Sequence, residues 1–204
     1  MKFRLHPILL PLFLFLLVSG NVSTYTLIFV SLLIHELGHL IAAWATGMRV
    51  RSCTIMPYGG ELVIPGRYTA RRKKRIYVAL GGPIATVILL TSAILIPFPG
   101  AELFIRIQVA LLTLNLLPIL PLDGGRVLSA LLERKGIEHK VRTMMLISSI
   151  ICCIFAISVL SFSFPVAIPY GLLALFLLIQ NVAAFRFRKY EKAFINLKLK
   201  GLTK

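Results

Sequence analysis

Residues 24–46 form an apolar stretch long enough to cross a bilayer, and three ionisable side chains lie inside it. They are His35, Glu36 and His39, within the sequence Ile-His-Glu-Leu-Gly-His. Residues four apart lie on one face of a helix, so the two imidazoles are presented together, about one turn apart. This is the spacing by which a helix offers two nitrogen ligands and a general base to zinc. Ionisable groups at membrane depth are costly, which indicates that these three have a function.

The rest of the chain is also strongly apolar. Of its 204 residues, 58% are hydrophobic, the mean hydropathy is +0.89, and no polar stretch is long enough to form a separate soluble domain. We expect an all-α polytopic membrane protein of about six transmembrane helices, with an intramembrane domain over 1–185 and a basic cytosolic tail over 186–204. The predicted spans lie near residues 5–19, 24–46, 76–96, 103–132, 143–162 and 165–185. No small-residue cleavage site follows the first segment, so we expect it to be retained.

The basic residues are distributed unevenly along the chain. The net charge is +16, and 21 of the 23 Lys and Arg residues lie in the N-terminus, the loops after the second and fourth segments, and the tail. The positive-inside rule therefore places both termini and these loops in the cytosol. Contact with the lipid bilayer explains the charge better than nucleic acid does, since no nucleic-acid-reading motif accompanies it. The three cysteines do not form a disulfide framework.

Residues 49–66, directly after the helix of the two histidines, do not have a helical pattern. Two short β-prone runs, near 52–56 and 61–64, flank Pro57-Tyr58-Gly59-Gly60, which predicts a membrane-associated β-hairpin. Its open edge is suited to accepting an extended peptide by strand addition. The alternative is that residues 49–66 are an ordinary interfacial loop, and the sequence pattern does not favour either interpretation over the other.

A catalytic zinc ion needs a third protein ligand, with a fourth position left to water. Asp123 is the only carboxylate in the interior of the fourth segment, which Pro118 and Pro121 are expected to break. His39 lies ten residues before Arg49, the first basic residue of the loop after its segment, and Asp123 lies eleven residues before Arg134, the first basic residue of the loop after the fourth segment. Both segments run from outside to inside, so we expect the two groups to lie at similar depth.

The predicted chemistry is metal-assisted hydrolysis. Zinc held by His35, His39 and Asp123 lowers the pKa of its water toward 7, and Glu36 serves as general base and then general acid. Asn115 lies two turns before Asp123 and is a candidate for binding substrate backbone or the oxyanion, with a helix–helix hydrogen bond as the equal alternative. Arg126 is expected to neutralise nearby carboxylates or to reach the lipid surface.

These motifs resemble those of the site-2 proteases, the intramembrane zinc metalloproteases. The resemblance rests on HELGH at 35–39, on NLLPILPLDGG at 115–125, on Gly81-Gly82-Pro83 and on Pro57-Tyr58-Gly59-Gly60. It implies that His35, His39 and Asp123 bind one Zn²⁺ per chain, that Glu36 is catalytic, that Asn115 assists, and that the 49–66 hairpin engages a membrane-tethered protein substrate. The compact layout is similar to that of the family's sporulation branch. This similarity implies that the protein activates a sigma-factor precursor and that regulatory membrane proteins control it. It also implies a bacterial cell membrane or a forespore-type membrane as the location.

Two alternatives to this function stay open. One is a site-2 protease that acts on another membrane-tethered regulator. The other is a non-catalytic zinc-binding membrane protein, such as a metal permease or a pseudoenzyme. Glu36 separates catalysis from binding, because hydrolysis needs a base beside the first ligand and metal binding does not.

Overall fold

The computed structural model of the protein describes residues 2–5, 22–56, 59–64, 70–96, 98–133, 138–162 and 168–201. Within them the chain forms three short strands and six helices. In chain order these are β1 (Lys2–Leu5), α1 (Val22–Ala45), β2 (Ser52–Met56), β3 (Gly59–Val63), α2 (Arg72–Leu95), α3 (Ala101–Leu116), α4 (Asp123–Leu132), α5 (Glu138–Ser161) and α6 (Ile168–Gly201). They divide into two compact units, residues 1–117 and 118–204.

Among the described residues, four helices are long and apolar enough to cross a membrane. The candidate spans are Val22–Ala45, Arg72–Leu95, His139–Ser161 and Tyr170–Arg188. The predicted count of six is therefore not supported. Residues 6–19 of the first predicted span lie outside the described residues. The fourth predicted span is divided into α3 and α4, of 16 and 10 residues, and each is shorter than the roughly 20 residues of a full span.

The break between α3 and α4 lies where the two prolines predict it. α3 ends at Leu116, two residues before Pro118, and α4 begins at Asp123, two residues after Pro121. Proline lacks an N–H donor and restricts the residue before it, so a helix cannot run through this pair of positions unbroken. The unwound segment between the helices leads directly to Asp123.

The first unit contains a small three-stranded sheet. β2 is its central strand and pairs antiparallel with β3, with Ser52 opposite Val63 and Met56 opposite Gly59. β2 also pairs in parallel with β1, a strand that the sequence analysis did not predict. Residues 57 and 58, between β2 and β3, lie outside the described residues. The other regular elements that the structure describes in this unit are helices.

Helices α1 and α2 approach each other closely through glycine. A Cβ on Gly38 would lie less than 3 Å from the main-chain oxygen of Gly81 and from the Cβ of Ala85. A Cβ on Gly81 would meet the backbone of Gly38 in the same way. Small residues allow helix backbones to touch in an apolar environment, where packing replaces the hydrophobic effect as the driving force. This contact fixes α2 against the face of α1 that carries the histidines.

The C-terminal end of α1 turns sharply toward the sheet. Gly47 adopts a left-handed conformation with φ of 68°. Its N–H donates to the oxygen of Trp44, and the N–H of Met48 donates to the oxygen of Ala43, each at 2.9 Å, which is the pattern of a Schellman cap. Immediately beyond it, a buried apolar cluster joins α1, α2 and the end of β3. Its members are Ala43, Met48, Ile64 and Val78.

The second unit contains α4, α5 and α6. Helix α6 continues through the predicted boundary at residue 185 as far as Gly201, so residues 186–201 of the predicted tail are helical. In the part of this unit that the structure describes, Cys152 and Cys153 are free thiols.

Candidate metal centre

His35 and His39 lie on one buried face of α1. Their side chains are only 2% and 4% exposed, and their ring centroids are 4.9 Å apart, nearly perpendicular to each other. The four-residue spacing produces this arrangement, because one helical turn brings the second ring beside the first. The prediction that α1 presents both imidazoles together is confirmed.

One nitrogen of each ring is held by α2. His39 Nδ1 lies 2.7 Å from the main-chain oxygen of Val78, and His35 Nδ1 lies 2.8 Å from the Oγ1 of Thr86. The nearer contact is to a carbonyl oxygen, which only accepts, so His39 Nδ1 carries the proton and donates it, while the N–H of Gly82 lies farther from the same nitrogen, at 3.2 Å. The Thr86 hydroxyl donates to the oxygen of Gly82, so its lone pair is available to accept from His35 Nδ1.

Both histidines therefore present Nε2 as the unprotonated ring nitrogen, the one that can bind a metal. A second hydrogen bond at Nδ1 fixes the tautomer and the ring orientation of a metal-ligating histidine. The sequence analysis predicted the ligands but missed these anchors. Val78 acts through its backbone and has no sequence signal, and a single threonine in an apolar helix carries almost none.

Gly82 provides the space in front of the two rings. A Cβ at this position would lie less than 3 Å from the Nε2 atoms of both His35 and His39. The two Nε2 atoms therefore face the same point on the backbone of α2, and only a hydrogen atom fits there. The sequence contained a signal for this residue in Gly81-Gly82-Pro83, although the analysis of the residues gave it no role.

Glu36 follows His35 on α1 and is half-buried. Its side chain leaves the helix about 100° around the axis from His35, so it lies beside the ligand face without being part of it.

Asp123 is the first residue of α4 and is 3% exposed. The positive end of the helix dipole favours a carboxylate in the first turn. Arg126 Nη1 donates to Asp123 Oδ1 at 3.2 Å, so the arginine neutralises this carboxylate, which is one of the two roles expected for it. The histidine pair belongs to the first unit and Asp123 to the second, and each of the three buried residues offers one atom that can bind a metal.

Asn115 lies in the last turn of α3 and is half-buried. Its Nδ2 donates to the oxygen of Leu111 in its own helix at 3.0 Å. The amide is therefore held by a local hydrogen bond, and its predicted role toward substrate stays a prediction.

The donor set fits zinc. Two neutral imidazole nitrogens and one carboxylate oxygen are the ligands of a catalytic zinc site with an open fourth position. The buried setting of all three residues, and the fixed tautomer of both histidines, are what such a site requires.

Comparisons with known proteins point to the same chemistry. The family model of peptidase family M50 matches residues 23–100 and 101–156. Over 196 residues the chain is 27% identical to stage IV sporulation protein FB of Bacillus subtilis, which covers 93% of this chain and 68% of that protein. It is 30% identical over 120 residues to a zinc metalloprotease of Methanocaldococcus jannaschii, covering 54% of this chain and about a third, 34%, of that protein.

A solved structure has the same fold. The site-2 protease from Methanocaldococcus jannaschii aligns with a TM-score of 0.66, covering 90% of each chain at 22% sequence identity. At this identity the likeness concerns the fold alone. The family match covers well over half of the chain.

Proposed function

Because this chain belongs to peptidase family M50, the site-2 protease family of membrane-embedded zinc metalloproteases, we propose that it hydrolyses peptide bonds of membrane-associated proteins near the cytosolic face of the bilayer. The observation that carries the proposal is the pair of Nδ1 anchors on α2. They leave the Nε2 atoms of His35 and His39 directed to one point beside Gly82.

The proposed metal ligands are His35 Nε2, His39 Nε2 and the carboxylate of Asp123. Two features support the third ligand. Asp123 is buried at a helix start after an unwound segment, and at membrane depth such a carboxylate needs a function. It also lies eleven residues before Arg134, as His39 lies ten residues before Arg49, so the positive-inside topology puts both at similar depth.

In this mechanism, bound zinc supplies Lewis acidity that makes water a nucleophile near neutral pH and polarises the substrate carbonyl. Glu36 accepts the proton of the attacking water and returns it to the leaving amine. Thr86 and Val78 hold the two imidazoles in the protonated-Nδ1 tautomer through the reaction. Asn115 orients the substrate backbone or stabilises the oxyanion.

The sheet of the first unit is the proposed docking site for substrate. β2 is central, so within the described residues β3 has one side that pairs with no other strand. An extended segment can add to such an edge through main-chain hydrogen bonds. Ile64 follows β3 and packs in the cluster with Val78, whose oxygen holds His39. A strand added to β3 would thus be attached to the element that orients the ligands.

We also propose that the substrate is a membrane-tethered precursor of a sporulation sigma factor, and that partner membrane proteins regulate the cleavage. The support is the similarity to stage IV sporulation protein FB over 93% of this chain. Both termini lie in the cytosol in this proposal, since the basic segments are placed there by the positive-inside rule.

The test is cleavage of a tagged, membrane-tethered sigma-factor precursor co-expressed with the full chain. We expect cleavage by the wild type and none by Glu36→Gln, while the purified Glu36→Gln protein still holds one zinc per chain. Glu102→Gln is the matched control, because Glu102 is an exposed carboxylate paired with Arg106 outside the histidine face. Cleavage that persists in Glu36→Gln contradicts the mechanism. Zinc flux into vesicles without cleavage favours the permease.

A further inference from the structure

We infer that Ser149 and Asn181 are positioning residues for Asp123, because together they hold both backbone groups of Leu120, three residues before it. The inference rests on the proposed function, in which Asp123 is a metal ligand. All the residues that it uses belong to the second unit.

The contacts come from two different helices. Leu120 N–H donates to the Oγ of Ser149 on α5 at 2.9 Å, and Leu120 C=O accepts from the Nδ2 of Asn181 on α6. Ser149 and Asn181 are 0% and 1% exposed. Two buried polar side chains, from two different helices, thus meet on one residue of the unwound segment.

The hydrogen-bond directions at both side chains are consistent. The Ser149 hydroxyl donates to the oxygen of Met145 at 2.7 Å, so its lone pair is free to accept from Leu120. Asn181 Nδ2 has two hydrogens, and it donates one to Leu120 and the other to the oxygen of Leu177, at 2.8 Å for the latter. Each side chain is therefore braced on its own helix while it holds the segment.

The segment needs such partners because it is not helical. Backbone N–H and C=O groups outside regular structure must find other partners when they are buried, and at membrane depth water is scarce. Polar side chains in membrane helices are costly, and here they supply the missing partners. The need to pair the backbone of Leu120 therefore explains why Ser149 and Asn181 are polar, which apolar packing does not explain.

The held residue is rigidly joined to the start of α4. Leu122 N–H donates to the oxygen of Ile119 at 2.9 Å, which closes a turn around Leu120. A Cβ on Gly125 would lie less than 3 Å from the carbonyl of Ile119 and from Leu120 N, so the segment folds directly over the first turn of α4. Movement of Leu120 would therefore displace the backbone of Asp123.

The experiment uses the full chain, purified in detergent, with Ser149→Ala and Asn181→Leu as the test variants. Ser148→Ala and Gln180→Leu are matched controls, each one residue away on the same helix. Ser148 bonds only to Met145 of its own helix among the contacts that the structure records, and Gln180 is exposed. Zinc affinity is measured by competition with a chelator. Backbone amide exchange over residues 117–123 is measured by mass spectrometry.

We expect each test variant to lower zinc affinity by roughly tenfold, the lower end of the range for residues that orient a ligand. Amide exchange over 117–123 should rise in the same variants, and both controls should match the wild type. In an Asp123→Ala background, Ser149→Ala should have no further effect on zinc affinity, because it acts through the aspartate.

Two results would overturn the inference. One is wild-type zinc affinity in both test variants. The other is an equal loss of affinity with and without Asp123, which would indicate general destabilisation. If Ser149→Ala does not fold, Ser149→Cys keeps the size with a weak hydrogen-bonding group and serves the same comparison. Failure of the proposed function is distinct, since it is measured as loss of cleavage of the tethered precursor by the wild type, whereas this inference is measured as zinc affinity and amide exchange.

Discussion

The Nδ1 atom of His39 lies 2.7 Å from the main-chain oxygen of Val78, on the helix that packs against its own. This contact decides which ring nitrogen is available to a metal, because the carbonyl can only accept and so keeps the proton on Nδ1. The close Gly38–Gly81 approach brings α2 near enough for the bond to form. Helix packing, rather than the ligand helix alone, therefore prepares the site.

Thr86→Val should weaken zinc binding by roughly 10–100-fold, the usual cost of losing a group that orients a ligating histidine. Valine has nearly the shape of threonine but lacks the oxygen that lies 2.8 Å from His35 Nδ1. Chelator competition on the purified full chain measures the effect.

Thr91→Val is the matched control for this change. Thr91 is on the same helix and exposed, and its hydroxyl bonds only to carbonyls of its own helix among the recorded contacts. We expect its zinc affinity to equal that of the wild type. Equal affinities in Thr86→Val and the wild type would show that the threonine does not orient His35.

Gly82→Ala should abolish stoichiometric zinc binding. The added Cβ would lie less than 3 Å from both Nε2 atoms, and α2 cannot retreat easily because Gly81 is in contact with the backbone of α1. Gly171→Ala is the control, since a Cβ at this position meets nothing within 4 Å. Alanine also has a higher helix propensity than glycine, so this change should not destabilise its helix. Elemental analysis of the purified proteins checks this. Zinc retained at one per chain in Gly82→Ala would place the metal elsewhere.

The candidate ligands can be proposed from sequence, whereas the residues that hydrogen-bond to the histidines and support the segment before Asp123 cannot. His35 and His39 have the spacing of a zinc-binding helix, and Asp123 is conspicuous as a carboxylate in an apolar segment. Thr86, Ser149 and Asn181 act through single hydrogen bonds across helices. Each is an ordinary polar residue in an apolar helix, and only the packing of the helices shows what it bonds.

The fold likewise has features that the sequence predicts locally and features that depend on contacts distant in the chain. Hydropathy predicted the span at 24–46, and α1 runs from Val22 to Ala45, because length and apolar character are local properties. The break after Leu116 was also local, since proline causes it. Strand β1 was missed because its parallel pairing with β2 joins residues about fifty positions apart, which no local pattern reveals.

Ser31→Ala should destabilise the protein more than the double variant Ser31→Ala with Gln108→Leu. Gln108 Nε2 donates to Ser31 Oγ at 2.7 Å, and both side chains are fully buried. Ser31 lies one turn before His35 on α1. The single change leaves the Gln108 amide without this partner, at a cost of about 1 kcal/mol, whereas the double change removes both polar groups. Unfolding in mixed micelles measures the difference. Additive losses would contradict a coupled pair.

Arg126→Gln should increase the stabilisation that zinc provides. Arg126 Nη1 lies 3.2 Å from the carboxylate of Asp123, whose side chain is 4% exposed. Without metal, Arg126 supplies positive charge to that buried carboxylate, so removal of the guanidinium should lower the Tm of the metal-free protein. Bound zinc supplies positive charge in place of the arginine and stabilises only the folded state, so the Tm of the zinc-loaded protein should fall by less.

The measurement for this variant is the Tm of the full chain in detergent, with zinc and after removal of zinc by a chelator. Arg106→Gln is the matched control, because Arg106 pairs with the exposed Glu102 and its loss should leave the zinc-induced shift unchanged. If Arg126→Gln lowers the Tm equally in both states, Asp123 does not receive the charge of the metal. Such a result would remove Asp123 from the ligand set while leaving the two histidines in it.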